Sequence, residues 1–69
     1  MDSIYFDGKN IPLIDAVLLY DKGDLDEDES IELLQEIVDC GLVNKSSRSV
    51  KNAIVYYIRF GLIDEKRAS

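Results

Sequence analysis

The chain has 69 residues, 46% hydrophobic and 32% charged, with fourteen acids against eight bases, a net charge of −6 and no histidine. A domain of this size buries only about 60% of the surface its unfolded chain exposes, so a deep catalytic cavity is excluded and stability of a few kcal/mol is expected. The composition is that of a folded domain, the single Cys40 excludes an intrachain disulfide and favours a reducing compartment, and no apolar run approaches the roughly 18 residues of a membrane span.

The opening segment MDSIYFDGKN has neither the basic region nor the apolar core of a signal peptide, so the expected location is cytoplasmic. Between Ile4 and Ile11 an Asp7-Gly8 pair separates short apolar pieces, which predicts a small β-hairpin or an extended arm over residues 4–11. An isolated hairpin is marginal in water, so it is expected to pack on the helices that follow.

The first helix is predicted over residues 12–22. Pro12 suits its first turn, where the missing amide hydrogen would have had no partner, and Gly23 supplies a left-handed residue after its end. Leu13, Ile14, Ala16, Val17, Leu18, Leu19 and Tyr20 cover most of its circumference, which marks it as the central, most buried helix.

The second helix, predicted over residues 27–40, starts at a capping box formed by Asp26 and Glu29 and stops before Gly41. Leu33, Cys40, Ile37, Leu34, Val38 and Ile31 occupy about half of its circumference. Asp28, Glu29, Glu32, Glu36 and Asp39 fill most of the remainder, a carboxylate stripe about 15 Å long facing solvent.

The third helix is predicted over residues 47–60, with a serine cap among Ser46, Ser47 and Ser49 and a stop before Gly61. Its core face is read as Phe60, Ala53, Tyr57, Val50, Ile54 and Ile58; the other face carries Arg48, Lys51, Asn52, Val55, Tyr56 and Arg59. Val55 and Tyr56 stand where polar residues are expected, and cover by the N-terminal arm would account for them. The segments Ile37 to Val43 and Tyr57 to Ile63 echo each other, each a helix end, a glycine and a returning apolar pair, as Schellman-type stops do.

Charge divides sharply along the chain. Residues 10–39 hold ten acids and one base, a net −9, whereas residues 40–63 hold four bases and no acid, a net +4. One part could face a basic partner and the other an acidic one. The densest run, Asp21 to Glu32, has seven carboxylates against Lys22. Its Asp24-x-Asp26-x-Asp28 spacing imitates a calcium loop but has Glu29 where the sixth position needs glycine and Gln35 where the twelfth needs glutamate, so no metal site is expected. With no histidine and no base beside Cys40 in sequence, no catalytic residue is assigned and neither enzyme activity nor a cofactor is expected.

Acids in a first turn are favoured by the helix macrodipole, which accounts for Asp26 to Glu29. Glu32, Glu36 and Asp39 continue the same sign along the helix with no lysine at i+4, against mild mutual repulsion. A row of carboxylates at that pitch approximates a line of phosphates, so Asp24, Asp26, Glu27, Asp28, Glu32, Glu36 and Asp39 form the candidate surface for a basic partner. The alternative places DNA on the third helix through Arg48, Lys51, Asn52, Tyr56 and Arg59, in the manner of a helix-turn-helix regulator. The link before that helix exceeds the tight turn of the motif by about three residues, and four bases against −6 overall imply weak, salt-sensitive affinity. A further alternative is self-assembly, with the acidic face of one copy against the basic face of another.

Ile14-Asp15-Ala16, Tyr20-Asp21-x-Gly23-Asp24-Leu25-Asp26 and Ile31-Glu32-Leu33-Leu34-Gln35-x-Ile37-Val38-Asp39-x-Gly41-Leu42 together resemble a group of very short, functionally unassigned tailed-phage proteins. The likeness covers Ile14 to Leu42. Those proteins continue into Gly-Arg-Thr-Ala, where this chain has Asn44-Lys45-Ser46-Ser47-Arg48-Ser49-Val50 and only Arg48 and Ser49 align. The resemblance implies a phage-encoded accessory protein in the host cytoplasm and no established activity. The expected fold is all-α, a single three-helix domain with an N-terminal hairpin or arm. The expected role is stoichiometric binding to a host protein with a basic surface, in the form of inhibition of a nucleic-acid-handling or defence enzyme.

Overall fold

The computed structural model describes residues 2–65. Asp7 and Gly8 both adopt positive φ, 54° and 76°, the combination a two-residue type I′ turn demands, and they join β1 (Ser3–Phe6) to β2 (Lys9–Pro12). Phe6 pairs with Lys9 and Ser3 with Pro12 in antiparallel register. The period-2 alternation of β1 turns Ile4 and Phe6 into the core and leaves Ser3 and Tyr5 outside. With this sheet the domain is three helices plus a hairpin, not purely all-α.

Helix α1 (Leu13–Lys22) follows β2 directly, with Pro12 as the N-cap rather than the first helical residue. Gly23 ends it at φ 75°, its N–H donating to the Tyr20 carbonyl. Helix α2 (Glu27–Asp39) opens on the expected capping box: the Glu29 N–H donates to Asp26 Oδ1 at 2.8 Å and the Asp26 N–H to Glu29 Oε1 at 3.2 Å. A single 3₁₀ turn, Val43–Lys45, occupies the link, and α3 (Arg48–Arg59) starts at Ser47, whose Oγ accepts from the Val50 N–H.

The central helix is α2, which corrects the expectation for α1. Leu33, Leu34 and Ile37 have no exposed surface, and Val38 and Ser30 are buried beside them. In α1 only Leu13 and Ala16 are buried; Ile14 and Leu18 are 69% and 53% exposed. The apolar girth of α1 exceeds what so small a core can cover, so one side faces water. Strand β1 packs on α2, and Ile4, Phe6, Val50, Ile54 and Ile63 complete the core. Two further corrections fall at the C-caps, one residue beyond the ends of α2 and α3, where the core no longer covers the chain: Cys40 and Phe60 are both exposed rather than on the apolar faces assigned to them.

Both stops are Schellman motifs. The Leu42 and Leu62 N–H groups donate to the Ile37 and Tyr57 carbonyls, and the Gly41 and Gly61 N–H groups donate to Val38 and Ile58. The two differ in what returns to the core: Leu42 is buried in the first, whereas in the second Leu62 is exposed and Ile63 takes the buried position.

Candidate functional site

Seven carboxylates form the first candidate surface, and the fold divides them. Asp24 and Asp26 are exposed in the turn before α2, where Asp26 is committed to the cap. Glu27, Asp28 and Glu32 are exposed on α2, while Glu36 and Asp39 are half-buried. Asp28, Glu32 and Glu36 stand one helical turn apart, about 6 Å of rise between neighbours. Among the described residues the ion pair that forms lies elsewhere, between Lys45 Nζ and Asp2 Oδ2 at 3.0 Å. Asp28, Glu32 and Glu36 therefore meet no cation within the described fold.

Gln35 organises one edge of this stripe. Its Nε2–H group donates to Asp39 Oδ1 at 2.9 Å and to the Asp64 carbonyl at 3.1 Å, and its Oε1 accepts from the Asp64 N–H at 2.9 Å. The side-chain amide thus pins the segment after α3 onto the solvent side of α2. Ile63, buried between them, anchors the same segment from below. As a result Leu62 borders a shallow depression shared with Asp28, Ile31, Glu32 and Glu36.

Leu62 also borders a second depression, lined by Glu27, Tyr56, Tyr57 and Phe60. Tyr56, Phe60 and Leu62 are 55%, 65% and 44% exposed, a contiguous apolar surface beside the acids. The Tyr56 and Tyr57 rings meet edge-on at 5.5 Å, and the Tyr56 and Phe60 rings lie 4.7 Å apart. Such aromatic pairs are worth about 0.5–1.5 kcal/mol beyond burial, so the patch is held in shape before any partner arrives. Sequence reasoning missed Phe60 and Leu62 as surface residues. The i, i+4 spacing of Tyr56 and Phe60 was the available signal, but nothing in the pattern distinguishes an exposed aromatic pair from a core pair.

The DNA-contact candidates sit on α3, with Arg48, Asn52, Tyr56 and Arg59 exposed and Lys51 half-buried. They share one side of the helix, but Tyr56 turns toward the aromatic depression rather than standing apart with the cations. The N-terminal arm does not cover Val55 and Tyr56, which are both more than half exposed; the hairpin packs on α1 and α2 instead. Between α2 and α3 lie residues 40–47, including the 3₁₀ turn, a longer junction than the three or four residues of a helix-turn-helix.

Among the described residues two ionisable groups are displaced from their ordinary range. Partial burial, then the Glu36 and Asp39 carboxylates, push the Cys40 thiol up, which keeps it in the less nucleophilic protonated form. Burial, then Tyr57 and Asp21, push the Tyr20 phenol up. Among the described residues no three acid or thiol side chains converge as a metal cage, and no helix is long and apolar enough to cross a membrane. No protein-family model, curated protein or solved structure matches the chain.

Proposed function

We propose that this chain is a phage-encoded accessory protein that binds a host protein stoichiometrically, presenting the outer face of α2 to a basic surface. The observation that carries the reading is the row Asp28, Glu32 and Glu36: three like charges a turn apart that meet no cation among the described residues. Like charges at this spacing oppose helix formation mildly, and a basic partner would relieve that repulsion. A host enzyme that handles nucleic acid, with a basic channel in the cytoplasm, is the partner such a row suits, and occupation of that channel would inhibit it. The likeness of Ile14 to Leu42 to short tailed-phage proteins supports the phage origin.

Pull-down from host lysate, with wild type beside a variant carrying Asp28, Glu32 and Glu36 changed to lysine, tests this. Loss of a salt-sensitive partner in the variant is the expected result. Retention of every partner by the charge-reversed protein would overturn the reading. A second reading, DNA binding through α3, is favoured by the exposed Arg48, Asn52 and Arg59. A mobility shift at low salt that disappears on changing Arg48 and Arg59 to alanine would establish it. Salt-dependent sedimentation distinguishes self-assembly, which weakens as ionic strength rises.

A further inference from the structure

The acidic face is not purely polar: it continues, through Leu62, into the exposed aromatic patch of α3. Tyr56 and Phe60 are separated by one turn, and so are Asp28, Glu32 and Glu36. An aromatic pair on α3 and an anionic row on α2 therefore border two adjoining depressions that share Leu62, each with a backbone rise of about 6 Å between its members. Ile31 and Leu62 lie where the acidic line meets the apolar one.

We propose that this surface receives an arginine-bearing amphipathic helix of the partner, an inference that rests on the acidic-face reading and names the chemistry recognised. A helix repeats its side chains at i, i+4 with the same rise, so cations on one stripe meet Asp28, Glu32 and Glu36 while an adjacent apolar stripe covers Ile31 and Leu62. Arginine rather than lysine fits because the site offers both partners its guanidinium uses. Its planar face stacks on Tyr56 or Phe60, and its edge donates in pairs to the Glu27 carboxylate, which lines the same depression. Charge complementarity selects against a nucleic-acid ligand here, since its phosphates would meet the carboxylates.

The probe is a synthetic amphipathic helix with arginines at i, i+4 and i+8 and leucines on the neighbouring stripe, followed by fluorescence anisotropy against the full chain. Replacing its arginines with lysine is expected to weaken binding about threefold or more, the margin a stacked cation supplies. Changing Tyr56 and Phe60 to alanine is expected to weaken the arginine peptide about tenfold and the lysine peptide much less. The lysine exchange alters only the peptide, so it reads the contact without any change in the protein. Equal affinity for both peptides, unaffected by Tyr56→Ala and Phe60→Ala, would overturn the stacking inference while leaving the acidic face standing. Binding indifferent to neutralisation of Asp28, Glu32 and Glu36 would overturn both. An extended, proline-interrupted arginine peptide that binds as tightly would overturn the helical form of the ligand. Concentration-dependent dimerisation abolished by the aromatic changes would reassign the surface to a second copy.

Discussion

Removing the side-chain amide of Gln35 tests how the candidate surface is held. Gln35→Ala deletes both bonds between Gln35 and the backbone of Asp64, together with the bond to Asp39. A protein hydrogen bond contributes about 0.5–1.5 kcal/mol net, and these lie near the surface, so about 1–2 kcal/mol of local stability is at stake in the 61–64 segment. Ile63 remains buried and still anchors the chain, and alanine suits the helix interior, so the loss is confined to the segment. Native-state hydrogen exchange followed by NMR reads this residue by residue. The Asp64 amide is expected to exchange on the order of tenfold faster in the variant, whereas the amide of Ile54, in the buried middle of α3, changes little. Unchanged exchange at Asp64 would refute the clamp, and equal acceleration at Ile54 would show that Gln35 supports the whole fold.

Leu34→Ala empties a fully buried position on the central helix and is expected to cost about 3 kcal/mol, most of the stability available to so small a domain, whereas Ile14→Ala should stay within about 0.5 kcal/mol; urea unfolding followed by circular dichroism compares them. Asp26→Ala removes one half of the capping box and should cost about 1 kcal/mol, a fall of about 4–8 °C in Tm by calorimetry. The raised Cys40 pKa means less thiolate near neutrality, so iodoacetamide should alkylate it more slowly in the native protein than in urea. Glu36→Gln with Asp39→Asn should recover part of that rate, because burial, the largest cause, persists.

Local chemistry was readable wherever a backbone conformation or a cap demanded a particular residue. Asp7-Gly8 announced the turn, Asp26 and Glu29 the start of α2, and Gly23, Gly41 and Gly61 the helix stops, because each answers to its immediate neighbours. Burial was less readable. Helix α1 is more apolar around its circumference than α2, yet α2 is the more buried: Leu33, Leu34, Ile37 and Val38 all turn inward, against Leu13 and Ala16 alone in α1. Periodicity records which side of a helix is apolar, not how much of that side the rest of the chain covers. The acidic stripe was visible as a row on one face. Its apolar neighbour was not, since Phe60 read as core, and Leu62 came to the surface only because Ile63 took the inward position after Gly61.

The most direct test of the central claim is the affinity of the captured partner for wild type and for a protein with Asp28→Asn, Glu32→Gln and Glu36→Gln, measured by titration calorimetry across a salt series. These neutral substitutions keep side-chain size while removing three charges that meet no cation among the described residues. The wild-type affinity should fall as salt rises, and the neutralised protein should bind more weakly and with a flatter salt dependence. Equal affinity and equal salt dependence for the two proteins would contradict the assignment of α2 as the binding face.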